Sequence, residues 1–349
     1  MNETARQQIA ALETGNHLQA NDFLQILTHA DAEDVEYAKS RANVLRIANF
    51  GQLIFLRGLV ELSNFCKNDC LYCGIRRSNT NVVRYRLTKE QILDCLEQGY
   101  AAGLRTLVLQ GGEDAWFTDE RICDIVSAVK ERRPDVAITL SLGERSKESY
   151  RRLKEAGADR YLLRHETATE WHYAKLHPSF QKLSIRMQCL EWLKELGYQV
   201  GCGMMIGSPY QTAECLAADL AFIQDFRPQM VGLGPFIPHH ATPFANEPAG
   251  SVETTLFMLA LVRLTLPKVL LPSTTALATL HPEGRLRGIL AGANVIMPNL
   301  SPTDVRDNYT LYDNKANTGL EAVEGVAKLD QELSTIGCHI TVDRGDARY

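Results

Sequence analysis

Cys66, Cys70 and Cys73, in the run Asn64-Phe65-Cys66-Lys67-Asn68-Asp69-Cys70-Leu71-Tyr72-Cys73-Gly74, put three thiols on one short stretch of chain. Thiolates are soft ligands that suit iron and zinc. A cubane iron-sulfur cluster has four irons and closed clusters usually take four cysteines, so three cysteines leave one iron open to bind something else. Neither a histidine nor a fourth cysteine lies within fifteen residues of the trio, which speaks against a structural zinc site with its four closed ligands. A disulfide framework fits less well still. The nine cysteines are odd in number, and the chain starts Met1-Asn2-Glu3-Thr4 with no basic stretch leading into an apolar one, so a secretory signal is not expected. A reducing, cytoplasmic setting is the expectation.

Other reactive or polar groups follow along the chain. In Gln110-Gly111-Gly112-Glu113-Asp114 the glycines let the backbone approach a ligand closely and Glu113 offers an acceptor for an ammonium; alone, the run is equally a strand-to-helix turn. In Arg160-Tyr161-Leu162-Leu163-Arg164-His165-Glu166-Thr167 the two-residue strand period puts Arg160, Leu162 and Arg164 on one face, with Glu166 joining them if the extension persists and His165 on the other side. Arg57 shares a face with Leu59 and Glu61, and with Arg160 would make an anion site low in a cavity. The alternative is an internal Arg-Glu ion pair, since buried charges need partners. Thr139 and Ser141, Thr274 and Thr275, and Met205 with Met297 would complete a lining that is polar at the mouth and apolar elsewhere, although threonine is also simply a good strand former. Cys202 reads as a small buried hydrophobe. His239-His240 would need a third metal ligand that the local sequence does not supply.

Between residues 53 and 300 short β-rich apolar runs alternate with longer amphipathic stretches, the signature of βα units around a parallel sheet. The eight runs are Ile54 to Leu62, Thr106 to Gln110, Ala137 to Leu142, Arg160 to Arg164, Val200 to Ile206, Met230 to Gly234, Val269 to Thr275 and Asn294 to Pro298. Thr88 with Gln91 makes a capping box at the start of one helix, and Gly103, Gly157 and Gly197 are placed to end helices. The expectation is an α/β fold, a complete (β/α)8 barrel over residues 51–300, with catalytic residues at the C-terminal ends of strands. Residues 1–50 form a helical segment, with Ala5, Ile9 and Leu12 at helical spacing and a second helix from Ala32 to Ile47, covering the closed end or flank. Residues 301–349 form an extension on the barrel, irregular apart from a helix around Leu320 to Leu333. With 349 residues, 45% hydrophobic, and 37 basic against 42 acidic side chains, the chain has ample material for a core and no basic bias toward nucleic acid. Its apolar stretches are far shorter than the ~20 residues a membrane helix needs.

The spacing C-x3-C-x2-C with Tyr72 before the last cysteine resembles the radical S-adenosylmethionine (SAM) superfamily. The segments 160–168, 231–239, 242–247 and 293–299 narrow the likeness, over about residues 50 to 300, to the HydE family, the radical SAM maturases of FeFe-hydrogenase. That resemblance implies a complete barrel, one 4Fe-4S cluster on Cys66, Cys70 and Cys73, and SAM at the mouth, cleaved to a 5′-deoxyadenosyl radical. By the same resemblance Glu113 would hold the SAM amino group, Glu166 the ribose hydroxyls and Arg186 its carboxylate, with Tyr72, Gly111, Gly112 and Ser141 beside the cofactor. Arg57, Gln110, Thr139, Arg160, Arg164, Thr274 and Thr275 would line the substrate site. The implied substrate is a small or organometallic one, a cysteine-bound iron carbonyl cyanide fragment. The implied partners are a reductant such as ferredoxin or flavodoxin and the other hydrogenase maturases. Some members carry a second cluster on three cysteines past the last strand; here that region holds only Cys338, so none is expected there. Three other readings stay open: 3-methylornithine synthase, whose substrate ammonium would call for a deep acidic partner; biotin synthase, which needs cysteines on barrel strands; and a non-catalytic iron-sulfur scaffold.

Overall fold

Arg57 interrupts the first apolar run, so that one expected strand is two. In the computed structural model, which describes residues 3–316 and 322–347, β1 is Leu53–Leu56 and β2 is Gly58–Ser63. There follow β3 Thr106–Gly111, β4 Ala137–Ser141, β5 Arg160–Leu162, β6 Gln199–Cys202 and β7 Met205–Ile206. The last four are β8 Met230–Val231, β9 Gly234–Pro235, β10 Val295–Ile296 and β11 His339–Thr341. A six-stranded parallel sheet runs in the order β2-β3-β4-β5-β6-β8, β7 pairs with β9, and β1 lies between β10 and β11.

The fifth and sixth expected strands are each split in two at a glycine. At Gly203 a Cβ would sit 1.9 Å from the Gly232 carbonyl oxygen, so the two splits lie against each other and position 203 has no room for a side chain. The seventh run is no strand. Single parallel bridges, Met230 to Leu270 and Pro272 to Val295, carry the pairing from β8 to β10, because a stretch centred on Pro272 lacks a donor for a regular ladder. The α/β order is that of the expected barrel, with a ladder continuous over six strands, single bridges through Leu270 and Pro272, and a two-residue ladder between β10 and β1.

Strand parity sorts the side chains. Leu107, Leu109, Ile138, Leu140, Tyr161, Leu163, Val200 and Cys202 belong to the apolar layer beneath the helices. The opposite parity carries Arg57, Leu59 and Glu61 on one side and Arg160, Leu162 and Arg164 across the sheet, as alternation requires. Helix boundaries follow local chemistry: Thr88 opens the helix Lys89–Ala101 with a reciprocal capping box to Gln91, and Gly103, Gly157 and Gly197 all take positive φ just past helix ends, where a side chain would be strained. At the N-terminus the helices Glu3–Glu13 and Ala32–Phe50 match expectation, and a third, Ala20–His29, lies between them. They pack on the flank, against the helices Ala213–Phe226 and Val252–Thr265, and Gln224 ties Leu18 through both its backbone groups at 3.0 and 2.8 Å.

The C-terminal extension runs from the mouth to the base. At the mouth the Asn308 carbonyl accepts from Asn64 Nδ2 at 2.7 Å and the Leu311 carbonyl from the Gly74 N–H at 2.9 Å. At the base β11 pairs with Leu53, Ile54 and Phe55, and the residues after it cross the strand ends. The expected helix is Ala322–Ser334; Leu320 and Glu321 lie outside the described residues. Among the described residues no helix is long and apolar enough to cross a membrane.

Candidate active site

The loop that carries the three cysteines follows β2 and is fixed from every side. Asp114 accepts from Ser63 Oγ at 2.8 Å and holds Arg86 through both carboxylate oxygens at 2.6 and 3.0 Å, while the Arg86 guanidinium lies over the Phe65 ring at 3.8 Å. Downstream, Arg84 donates to the carbonyls of Ile75, Arg76 and Asn79 at 2.8, 2.7 and 3.0 Å. Burial pushes the Cys66 thiol up, pushes Cys73 up to about 12 with the help of Cys66, and raises Cys70 well above the ordinary thiol value, where both other cysteines add to the effect. Three thiols close enough to oppose one another's ionisation, in a loop too well tied to spread, form a site whose charge balance calls for a cation.

Gly112 is the contact between this loop and the next unit. A Cβ there would fall 2.2 Å from the Phe65 carbonyl oxygen and 2.8 Å from Cys66 Cβ, so the glycine is a requirement of close approach and not only of turning. Glu113 follows. Its backbone carbonyl accepts from the Lys67 N–H at 2.9 Å, its Oε1 accepts from the Glu144 N–H at 3.1 Å, and its Oε2 lies 3.0 Å from Lys67 Nζ. Gly143, at φ +74°, makes room for it: a Cβ there would touch the Glu113 side chain at 2.1 Å. Arg186, in the first turn of the helix Leu183–Glu195, donates through Nε to Glu144 at 2.6 Å and through Nη1 to the Arg164 carbonyl at 2.7 Å. Burial works against its charge, but Tyr173 and Glu144 hold the guanidinium protonated. Nη2 has no partner among the described residues. A cleft of about 450 Å³ opens here, bounded by Lys67, Glu113, Glu144, Gln181 and Ile185 among others, within the size range of small-ligand sites.

The extension that would have carried Glu166 onto the face of Arg160 and Arg164 does not persist. β5 ends at Leu162, and Glu166 sits in the left-handed region at φ +66°. Its side chain is buried, and Oε2 has no hydrogen-bond partner among the described residues, an arrangement that costs stability unless a ligand supplies a donor. Tyr72, the aromatic residue ahead of Cys73, donates its hydroxyl to His177 Nε2 at 3.1 Å, and His177 Nδ1 donates in turn to the Tyr173 carbonyl at 3.0 Å. Burial drives His177 down to about 3, so this ring is neutral and serves as an acceptor for Tyr72. The sequence offered no signal for His177 or for Gln181, whose Oε1 lies 3.5 Å from Cys70 Sγ; both come from a segment distant in the chain.

The residues expected to bind substrate divide into two groups. Gln110, Thr139, Arg164, Thr274 and Thr275 stand toward the mouth or along the wall: Gln110 is the register partner of Ser141, which was expected beside the cofactor, and Arg164 lies across Gly232. The hydroxyls of Thr139 and Thr274 are buried without a partner among the described residues. Arg57 and Arg160 lie at the base, bonded to the C-terminal extension. Arg160 is fully buried and donates to Thr106 Oγ1 at 3.0 Å, to the Arg344 carbonyl at 2.7 Å and to Asp346 at 2.6 Å. Arg57 lies 2.8 Å from Met230 Sδ and 3.4 Å from the Gly345 carbonyl, with Nε unpartnered among the described residues; burial first, then Arg160, lowers its pKa well below the ordinary arginine value. The extension also enters the mouth. Lys315 reaches Glu61 at 2.5 Å, and Tyr309 OH meets Gln110 at 3.5 Å, contacts no local pattern announces. His239 and His240 gain the carboxylate that their local sequence lacked, from Asp313. However, His239 Nδ1 accepts from the Ala241 N–H at 3.0 Å, which leaves the ring proton on the Nε2 that faces Asp313. The group is thus a clasp for the extension and not a ready set of lone pairs.

Three mutually opposing thiols, an orphaned carboxylate oxygen and a glycine cradle between two carbonyl-rich turns suit one cluster with one open iron and a zwitterionic nucleoside beside it. The Radical SAM superfamily model matches residues 60–223. The "[FeFe] hydrogenase maturase subunit HydE" of Thermotoga maritima is 48% identical over 276 residues, 78% of this chain and 78% of that one. The chain belongs to the HydE family. As a HydE-family protein it is a radical SAM enzyme whose cofactors are one 4Fe-4S cluster and SAM. A 3-methylornithine synthase of Methanosarcina acetivorans is 27% identical over 91% of this chain and 85% of its own. The crystal structure of methylornithine synthase (PylB) superposes with a TM-score of 0.84 at 26% identity, covering 96% of this chain and 97% of that one. A crystal structure of HydG, a maturase of the [FeFe]-hydrogenase, shares the fold with a TM-score of 0.81 at 19% identity, covering 98% of this chain and 77% of that one.

Proposed function

We propose that the chain acts in building the diiron centre of FeFe-hydrogenase, using the adenosyl radical on a cysteine-bound iron carbonyl cyanide precursor supplied by another maturase. A ferredoxin or flavodoxin is the proposed source of electrons. The observation that carries this reading is the kinship of nearly half the aligned residues to a HydE in a chain whose SAM-side groups are all present.

Cys66, Cys70 and Cys73 would hold the cluster; Glu113 would receive the SAM ammonium, Arg186 its carboxylate and Glu166 its ribose. Reduced by one electron, the bound cofactor supplies a 5′-deoxyadenosyl radical. Everything else falls to the chain's own residues. Gly111 and Gly112 let the two loops close on each other, and the barrel wall keeps water and stray hydrogen donors away from a reactive species. Arg164, with the hydroxyls of Thr139 and Thr274, offers donors to an anionic complex of cyanide and thiolate character. An amino-acid substrate such as lysine would instead need an unpaired acid inside, and the inward carboxylate of β2, Glu61, is already engaged by Lys315 and by Asn299 at 2.9 Å.

The test is complementation. Added to an anaerobic maturation mixture that contains the other maturases and lacks HydE, the reconstituted chain should restore hydrogen evolution by apo-hydrogenase. Absence of restoration by protein that still cleaves SAM, with methylornithine formed from lysine, would transfer the assignment to the synthase.

A further inference from the structure

Glu166 combines two costly features, a left-handed backbone at φ +66° and a buried carboxylate oxygen without a partner. A non-glycine residue in that region costs on the order of 1 kcal/mol or more and persists only where its surroundings enforce it. Its own backbone is pinned on both sides to the turn between β6 and β7: its N–H donates to the Gly203 carbonyl at 2.9 Å and its carbonyl accepts from the Met205 N–H at 3.3 Å. Those bonds fix Glu166 only if the Gly203 turn and the chain leaving Glu166 are themselves fixed.

Two buried side chains behind the site do this. His165 Nδ1 accepts from the Gly203 N–H at 3.2 Å, which places the ring proton on Nε2, and Nε2 donates to Asp219 Oδ1 at 3.2 Å. The same Oδ1 accepts from the Ala168 N–H at 2.5 Å. His165 also packs edge-on against Phe222 at 4.8 Å, from the same helix as Asp219, Ala213–Phe226. Both side chains are fully buried, so neither faces the cleft. Asp219 Oδ2 is left without a partner among the described residues, a penalty that a pair kept only for stability would shed by becoming apolar. What the pair uniquely provides is one oxygen and one ring nitrogen bonded to the two backbone segments that flank Glu166.

We infer that His165 and Asp219 are positioning residues for the SAM ribose, holding the left-handed turn that aims the Glu166 carboxylate, and that they couple the helix Ala213–Phe226 to cofactor affinity. This rests on Glu166 being the ribose ligand. Because Oδ1 alone does the work, asparagine at 219 retains the acceptor, whereas leucine, of similar volume, removes it.

The test uses cluster-loaded protein and two probes that lack the methionine half, 5′-deoxyadenosine and 2′,5′-dideoxyadenosine, with Kd measured by calorimetry. The wild type should prefer the probe with both ribose hydroxyls by about tenfold, the worth of one charge-assisted hydrogen bond. Glu166→Leu, which removes the acceptor, should abolish that preference. Asp219→Leu and His165→Leu should abolish it too, with iron content and methionine affinity unchanged, and should add nothing in the Glu166→Leu background; Asp219→Asn should keep it. If Glu166→Leu retains the preference, the ribose assignment itself is wrong. If Glu166→Leu loses it while Asp219→Leu or His165→Leu retains it, or if the losses add, the positioning role is overturned.

Discussion

Replacing Gly112 by alanine places a methyl group where the cysteine loop already lies. Ordinary contact for a Cβ begins near 3.4 Å, and the new atom would be 2.2 Å from the Phe65 carbonyl oxygen and 2.8 Å from Cys66 Cβ, overlaps of 1.2 and 0.6 Å against backbone and a cluster ligand. Neither neighbour is the free end of a flexible side chain, so the loop must move by about an ångström. Overpacking of that kind costs about 1–3 kcal/mol, a fall of a few degrees in Tm for a chain of this length, which the fold survives. The chemistry suffers more, because a displacement of about 1 Å in a positioned site can cost about a hundredfold in rate. Gly112→Ala should therefore fold, take up less iron on anaerobic reconstitution, and form 5′-deoxyadenosine about a hundredfold more slowly. Gly197→Ala is the matched control: φ is +73° but the space around it is open, so it should cost about 1 kcal/mol of stability from backbone strain and leave the rate unchanged. A Gly112→Ala protein with full iron content and the wild-type rate would refute the reasoning.

At the base, burial opposes the charge of Asp346, yet Arg160 and Gln199 hold its carboxyl at about 2, against an ordinary 3.8. A depressed carboxyl stabilises the fold above its unfolded pKa and ceases to as pH falls through its folded pKa; the shift, 3.8 minus 2, is worth at most about 2.4 kcal/mol, reduced to about 1 kcal/mol because the side chain is 39% exposed and screened by solvent. The stability gap between the metal-free wild type and Asp346→Asn, measured by urea unfolding, should be constant above about pH 4 and close between pH 4 and 2; a gap that widens there would contradict this. Inside the mouth, Lys315→Met should destabilise by about 2–3 kcal/mol, since it leaves the 1%-exposed Glu61 carboxylate without its cation. The double variant Glu61→Gln with Lys315→Met should be more stable than the single one, and equal stability of the two would contradict the pairing.

Much of the frame was legible because it is local. Thr88 and Gln91 name a helix start, three glycines name helix ends, and the alternation in Thr106 to Gln110 and Ala137 to Leu142 sorts inward from outward residues before any contact is known. The misses have physical causes. Arg57 lies within an otherwise apolar run, and periodicity cannot register that the chain changes partners there. Glycines at 203 and 232 divide two strands because two backbones meet at van der Waals distance, a tertiary fact. Glu166 would have followed Arg160 and Arg164 only if the strand's extension persisted, and its bonds to Gly203 and Met205 explain the left-handed turn found instead. Tyr309, Lys315, Asp313 and Asp346 reach the barrel from an extension whose sequence carries no repeat or strong periodicity, so no spacing could place them. The cysteine trio was readable because all three ligands lie on one short loop; its supporting residues, Asp114, Arg86 and His177, were not.

The central claim is that three cysteines hold a cluster with one open iron that binds and cleaves SAM. Anaerobically reconstituted protein should contain about four irons per chain, as one cubane cluster requires, and with dithionite should convert SAM to 5′-deoxyadenosine and methionine, whereas Cys70→Ala should do neither. Undiminished 5′-deoxyadenosine formation by the Cys70→Ala protein would contradict it outright.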